Sequence, residues 1–153
     1  MDITVIALAL ILFLVVFAII QYNKLIRLNI QVDEGFSQIE VQLKRRADLI
    51  PNLVETVKGY ATQEREVFER VVKARAASTT ASTLPAVAAA DGALTNALRG
   101  LLAVAEAYPD LKSSTNFLQL QEELATTENK VSFARQFYND TVRSLNTAVK
   151  TIP

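Results

Sequence analysis

An uninterrupted apolar segment near the start of the chain constrains the fold more than any other feature. From Ile3 to Ile20 it reads ITVIALALILFLVVFAII, and it contains no charge. As an α-helix this segment would extend roughly 27 Å, about the thickness of the hydrocarbon core of a bilayer. A surface helix of a soluble protein keeps a polar face, and this segment has none. The pattern predicts a transmembrane helix whose membrane-spanning residues include Ile3, Leu8, Leu12, Val16 and Ile20.

Two other interpretations of this segment are a buried core helix and a cleaved signal peptide. A chain of 153 residues has little core in which to bury such a helix. A signal peptide would have a positively charged start and a cleavage site between small residues. Here the chain starts Met1-Asp2, and the segment ends Phe17-Ala18-Ile19-Ile20. We therefore expect an uncleaved anchor over residues 1–22 and a single domain over residues 23–153.

Positive charges follow the apolar segment but do not precede it. Lys24 and Arg27 lie shortly after Ile20, and no Lys or Arg comes before Ile3. The positive-inside rule therefore predicts an outside N-terminus, with the chain after about residue 22 in the cytoplasm. Tyr22 is placed to lie at the level of the lipid headgroups, where aromatic residues are enriched.

Composition narrows the chemistry that the domain can perform. Histidine and cysteine are absent, which excludes Ser-His-Asp triads, imidazole or thiolate metal ligands, cysteine nucleophiles and disulfides. The four glycines are dispersed, so no phosphate-binding loop is predicted. Lys plus Arg equals Asp plus Glu at 16 each, which argues against nucleic-acid binding. We expect no catalytic, cofactor-binding or metal-binding residues.

Long helices are predicted after the anchor because glycine and proline are scarce. Apolar residues recur at steps of three and four from Leu25 to Leu43, which indicates a helix that continues directly from the membrane. Pro51 is expected to end or kink this helix, and Pro109 to stop a later one. The predicted helices cover roughly residues 23–48, 51–79, 86–107 and 113–150. This order predicts an all-α fold in which the transmembrane helix continues into an antiparallel up-and-down four-helix bundle.

The fourth predicted helix carries a seven-residue repeat. One row consists of large residues: Phe117, Leu124, Val131, Tyr138, Leu145 and Ile152. Three positions after each of the first five stands a second, mostly smaller row: Leu120, Thr127, Ala134, Thr141 and Ala148. Such rows let a neighbouring helix approach closely. Because the second row is too polar for a free-standing coiled coil, packing within an antiparallel bundle is favoured.

Two groups of residues on the first soluble helix are candidate contacts for a second copy of the chain or for another partner. Phe36 and Ile39 belong to its apolar stripe. Lys44, Arg45 and Arg46 form a compact cationic group, about 36 Å from Ile20 along a straight helix. This group is interpreted either as a solvated helix end, where cations are favoured, or as a docking patch for an acidic partner.

Polar residues along the fourth helix are predicted to form a structural network. Arg135 and Asn139 are four residues apart and share a face, on which Glu128 and Tyr138 are further candidate members. Carboxylates in this stretch also raise the alternative of acid–base chemistry or cation binding. Adjacent carboxylates on a helix point about 100° apart, which is unfavourable for a shared ligand. We therefore expect these residues to stabilise the bundle.

Several blocks of the sequence are distinctive. They are Tyr22-Asn23, SQIEVQLKRRADLIPNLVETVKGYA (37–61), AEAYPDLKSSTNFLQLQEEL (105–124) and ENKVSFARQFYND (128–140). In these blocks, which are spread over nearly the whole chain, the sequence closely resembles the bacterial LemA family. The resemblance implies a single N-terminal membrane helix, a short extracytoplasmic N-terminus and a cytoplasmic four-helix domain at the bacterial inner membrane. It implies no established enzymatic activity.

The chain departs from the family pattern at three places. Gly35-Phe36 stands where the family usually has Ala-Trp, which is expected to loosen the packing there. Thr62-Gln63-Glu64 replaces a typical Lys-His-Glu and removes the usual histidine. Relatives commonly extend beyond the equivalent of Pro153. If that tail binds a partner, we expect this function to be missing here or to reside on another chain.

Three hypotheses for the function follow. The first is a membrane-anchored scaffold that forms homo-oligomers and organises membrane or partner proteins without catalysis. The second is a cytoplasmic-facing adaptor, or accessory subunit, for an unidentified protein partner such as a sensor kinase, a transporter or a protease. The third is an enzyme that uses tyrosine or carboxylate chemistry. The first is preferred because the sequence combines an anchor, a long helix and few catalytic residue types. In all three the lipid bilayer is a partner and nucleic acid is not.

Overall fold

The computed structural model describes residues 3–151, and over these residues the fold contains helices and no strands. The helices are α1 (Ile3–Lys58), α2 (Arg65–Thr80), α3 (Leu84–Glu106), the short α4 (Pro109–Lys112) and α5 (Thr115–Thr151). The predicted all-α class is therefore confirmed for the described part of the chain. Ile152, the last large residue of the predicted repeat, lies outside the described residues.

The first helix is longer than the sequence predicts. It runs for 56 residues from the apolar segment through Pro51 to Lys58, so the prediction of separate helices over 23–48 and 51–79 is wrong. A proline inside a helix removes the hydrogen bond to the carbonyl four residues earlier. In this structure the side chain of Arg75 donates to that carbonyl, on Ala47. The helix ends instead before Gly59, since glycine is second only to proline in disfavouring a helix interior.

Helices α3 and α5 begin and end close to the predicted positions, and α2 ends close to its predicted end. The second helix starts only at Arg65, because residues 51–58 belong to α1. Pro85 lies in the first turn of α3, where its missing N–H costs no hydrogen bond. Helix α3 ends at Glu106, before Pro109 as expected, and Pro109 opens the single turn of α4.

The predicted seven-residue repeat coincides with the buried face of α5. In the row of large residues, Phe117 and Val131 are each 1% exposed, and the other described members are half-buried. The companion residues from Thr127 to Ala148 are all buried. Thr126, which lies off both rows, is exposed. The repeat therefore identifies the residues that α5 packs inward.

The chain divides into two compact units. The core unit comprises residues 39–133, and its apolar core is built from α1, α2, α3, α4 and the first half of α5. The helix-pair unit comprises the part of α1 up to Gln38 and the part of α5 from Ala134. Within the helix-pair unit the rings of Phe36 and Tyr138 lie 6.1 Å apart between centroids.

Gly35 marks a close approach of the two helices in the helix-pair unit. A Cβ atom placed on Gly35 would lie 3.3 Å from the Cα atom of Tyr138 and 3.4 Å from a ring carbon of Phe137. The backbone of α5 therefore occupies the space that a side chain would need. The loosening expected from glycine at this position is not observed, because α5 approaches close enough to fill the gap.

Candidate functional site

A buried arginine lies within the core unit. Arg46, on α1, is only 4% exposed. Its Nη1 atom donates to Oδ1 of Asp91 at 2.7 Å, and its Nη2 atom donates to Oγ1 of Thr95 at 3.1 Å. Nη2 also lies 3.0 Å from Oε2 of Glu128 on α5. We call these four residues the Arg46 network.

The two charges at the heart of this network occupy positions that would otherwise suit apolar residues. On α1, Arg46 precedes the buried residues Ile50 and Leu53 by one and two turns. On α3, Asp91 shares a buried stripe with Val87, Leu94 and Leu98. A buried charge is costly unless an opposite charge or hydrogen bonds compensate for it. Arg46 and Asp91 therefore have to meet when α1 and α3 pack.

The charges of the Arg46 network are asymmetrically exposed. The side chains of Arg46 and Asp91 are 5% and 6% exposed, whereas that of Glu128 is 48% exposed. Asp91 thus forms a desolvated ion pair with Arg46, and Glu128 closes the network from the solvent side. The planar guanidinium group can bond several acceptors at fixed angles. This geometry suits a contact that fixes the register of α1, α3 and α5 better than it suits proton transfer or nucleophilic chemistry.

No cluster of three or more Asp, Glu, His or Cys residues that could hold a metal ion occurs among the described residues. The carboxylates of the Arg46 network already face the guanidinium group of Arg46.

An open groove of about 460 Å³ adjoins the Arg46 network. Apolar side chains of α3 and α5 form most of its surface, and Arg99 and Gln121 add polar groups. The lining residues are Arg46, Thr95, Leu98, Arg99, Leu102, Gln121, Leu124, Ala125 and Glu128. Such a groove is large enough to receive side chains from another protein segment.

The structure separates the residues that the sequence grouped as candidate contacts. Lys44 and Arg45 are exposed, as a docking role would require. Arg46 is buried, and α1 continues past it to Lys58, so its interpretation as a solvated helix end is wrong and its side chain is not available for docking. Ile39 is 4% exposed and is likewise covered within the chain. Phe36 is half-buried beside Tyr138.

The residues of the predicted network on the fourth helix are divided between the two compact units. Glu128 belongs to the core unit and pairs with Arg46. Tyr138 belongs to the helix-pair unit and contacts Phe36, while Asn139 is exposed. Arg135 is half-buried. The predicted link from Glu128 to Arg135 and Asn139 stays a prediction.

Sequence reasoning missed Asp91, Thr95 and Arg75 as structurally important residues. A signal for Asp91 was present, because it is the one carboxylate on the apolar stripe that runs from Val87 to Leu98. An acidic residue on such a stripe indicates a buried partner of opposite charge. Arg75 carried no comparable signal, since its acceptor is a backbone carbonyl on another helix.

The apolar segment at the start of α1 is exposed along its whole described length. None of its residues is buried inside the protein, including the predicted membrane-spanning residues Ile3, Leu8, Leu12, Val16 and Ile20. Helix α1 is the one described helix that is long and apolar enough to cross a membrane. The interpretation as a buried core helix is therefore wrong, because no other part of the described chain covers this surface.

Comparison with known proteins relates the chain to one family. The model of the LemA family matches residues 35–153. The magnetosome protein MamQ of Magnetospirillum gryphiswaldense is 23% identical over 161 residues, which cover 88% of this chain and 59% of that protein. Protein LemA of Metamycoplasma hominis is 25% identical over 130 residues, which cover 84% of this chain and 59% of that protein. The matched region thus spans about 59% of the length of these relatives.

Proposed function

This chain belongs to the LemA family, and on that premise we propose that it is a membrane-anchored helical scaffold that self-associates and organises other proteins without catalysis. The observation that carries this proposal is the exposed apolar surface of residues Ile3–Ile20 on α1. An apolar surface of this extent is unstable in water, and a lipid bilayer is the environment that would cover a helix of this length. The same helix continues into the core unit, so it joins the anchor directly to the folded domain.

The proposed location is the bacterial inner membrane, which the chain crosses once. Lys24 and Arg27 are exposed on α1 just after the apolar segment. Positive charges beside a membrane helix favour the cytoplasmic side. The N-terminus would then lie outside the cell membrane and the helical domain in the cytoplasm.

The proposed architecture of the domain is an antiparallel four-helix bundle, and contacts in the core unit support it. Arg46 of α1 contacts α3 and α5, and the neighbouring Ala47 accepts a hydrogen bond from α2. Four helices therefore meet at one level. Farther along, Lys58 of α1 lies 5.4 Å from the ring centroid of Phe68 on α2. The contacts advance along α1 while they recede along α2, which supports opposite directions for these two helices.

Contacts in the helix-pair unit likewise support an antiparallel arrangement, here of α1 and α5. Gly35 lies near the end of the stretch of α1 in this unit, and its neighbour Tyr138 lies near the beginning of the stretch of α5. Two helices that meet at the end of one stretch and the start of the other pack along both stretches only if they are antiparallel.

Self-association is expected because the anchor confines all copies to one plane with one orientation. This confinement raises their effective concentration, so weak contacts between neighbouring copies are sufficient for association. Phe133 of α5 is 74% exposed and is the best candidate for such a contact in the core unit. Ile39, the contact residue that the sequence suggested in this unit, is buried and is no longer a candidate. Symmetry that closes on itself is expected, since open contacts would give unbounded arrays.

Light scattering of the full-length protein in mild detergent, corrected for bound detergent, tests the scaffold. We expect a defined oligomer that Phe133→Ser shifts toward the monomer, whereas the control Gln136→Ser, at an exposed polar position of α5, leaves it unchanged. A monomer at micromolar concentration that persists in lipid nanodiscs would remove the scaffold and favour the adaptor. The groove beside the Arg46 network supports that second candidate, because it offers an apolar surface to a partner.

A further inference from the structure

In the helix-pair unit, the stretch of α1 directly after the apolar segment and the last part of α5 carry only positive charges. On α1 the residues from Gln21 to Val32 include Lys24 and Arg27 but no Asp or Glu. On α5 the residues from Thr141 to Thr151 include Arg143 and Lys150, again without Asp or Glu. All four cations are exposed. The sequence alone does not show that these two stretches come together, since they are far apart in the chain.

The register of α1 against α5 brings Lys150 to the end of the apolar segment. Lys150 lies twelve residues beyond Tyr138, or about 18 Å along the helix axis. With α5 antiparallel to α1, the same distance back from Gly35, the contact of Tyr138, leads to the level of Asn23. Lys24 and Lys150 then lie about 6 Å or less beyond Ile20 along the axis, and Arg27 about 10 Å. Arg143 is farther away, at about 15 Å.

We propose that Lys24, Arg27 and Lys150 form a binding site for the phosphate groups of anionic phospholipids, which we call the cationic collar. This inference rests on the proposed insertion of Ile3–Ile20 into a bilayer, with α5 antiparallel to α1. Headgroup phosphates then lie at the level of the residues of α1 that directly follow the apolar segment. All three cations are within about one Debye length of that level, so salt does not fully screen their attraction to the phosphates.

The chemistry of the collar fits a phospholipid more closely than an acidic protein surface. Ammonium and guanidinium groups form charge-assisted hydrogen bonds with phosphate oxygens. Tyr22, which is 65% exposed, lies at the same level and can place its ring among the headgroups. Val149, 58% exposed, adds apolar surface beside Lys150. Cations with an aromatic and an aliphatic side chain at the same level match a surface that is charged outside and apolar beneath.

The collar gives α5 a direct role at the membrane. Lys24 and Arg27 follow the anchor in sequence, and they would meet the headgroups in any fold. Lys150 reaches the headgroups only when α5 packs against α1. Binding of anionic lipid should therefore favour the paired helices over separated ones, because only the paired state presents all three cations together.

Native mass spectrometry of the full-length protein, released from nonionic detergent micelles, tests the collar. Phosphatidylglycerol and phosphatidylcholine are added in equal amounts, and the occupancy of each is counted. We expect phosphatidylglycerol to predominate. Lys150→Gln should lower that preference about fivefold, the expected effect of one juxtamembrane cation. The control Lys130→Gln removes an exposed lysine about 30 Å away on the same helix and should have no effect. Added inorganic phosphate should not displace the lipid, because it lacks the acyl chains.

Equal occupancy of the two lipids in the native protein would overturn the collar. So would an equal loss of preference in Lys150→Gln and Lys130→Gln, since this would indicate a general charge effect. Displacement by inorganic phosphate would show a site for free anions instead of lipid. Failure of the proposed function would look different. A chain that stays soluble without detergent would contradict the anchor, and a monomeric mass would contradict the scaffold, whichever lipid is bound.

Discussion

The Nε atom of Arg75 donates a hydrogen bond of 2.8 Å to the carbonyl oxygen of Ala47. Ala47 is 1% exposed and lies four residues before Pro51, which has no N–H to offer. The side chain of α2 thus supplies the donor that the proline removes from α1. A helix that would otherwise carry an unsatisfied buried carbonyl continues for two more turns and contributes Leu53, Val54 and Val57 to the core.

This relationship predicts a coupled effect of two substitutions. Arg75→Ala should lower the free energy of unfolding by about 1–3 kcal/mol, because it leaves the Ala47 carbonyl buried without a donor. In a Pro51→Ala background the new N–H can bond that carbonyl, so Arg75→Ala should cost clearly less. A double-mutant cycle from urea unfolding of the full-length protein in nonionic detergent measures the coupling. Additive effects of the two changes would contradict the compensation.

The Arg46 network predicts unequal roles for its two carboxylates. Asp91→Ala leaves Arg46 buried without its desolvated partner and should cost about 3–5 kcal/mol. Glu128→Ala removes a side chain that is 48% exposed and should cost no more than about 1 kcal/mol. Urea midpoints followed by circular dichroism compare the two variants. If the losses were similar, the assignment of Asp91 as the principal partner would fail.

The buried face of α5 predicts a contrast between two neighbouring positions. Val131→Ala creates a cavity at a residue that is 1% exposed and should cost about 2 kcal/mol. Thr126→Ala changes an exposed residue off the repeat and should stay within about 0.5 kcal/mol. The same denaturation experiment checks both. Equal shifts would show that the seven-residue repeat does not mark the packed face.

Glycines in two helices should respond differently to alanine. Nothing lies within 4 Å of a Cβ placed on Gly92 in α3, so Gly92→Ala should stabilise the protein by about 0.5–1 kcal/mol through helix propensity. At Gly35 the added methyl would press on the backbone of Tyr138 at 3.3 Å. Gly35→Ala should therefore stabilise less, or destabilise. Thermal unfolding midpoints of both variants test this difference. A larger increase in the midpoint for Gly35→Ala than for Gly92→Ala would contradict the close approach of α5.

Sequence reasoning identified the features that depend on one helix alone. The apolar segment, the helical class and the inward face of α5 follow from the local pattern of residues, because hydrophobic burial repeats with the period of the helix. The boundary at Pro51 was mispredicted for the opposite reason. Helix propensity favours a helix end at proline. The hydrogen-bond donor that allows α1 to continue comes from Arg75 on a different helix.

The amino-acid sequence by itself determined that this protein is helical, that its first segment suits a membrane, and which side of α5 is buried. Only the tertiary structure decided what each charge does. Lys44, Arg45 and Arg46 are equivalent as a run of cations, yet packing buries Arg46 against Asp91 and leaves the other two in solvent. The reason is physical: periodicity fixes the direction in which a side chain points, whereas its partner is fixed by how separate helices meet in space.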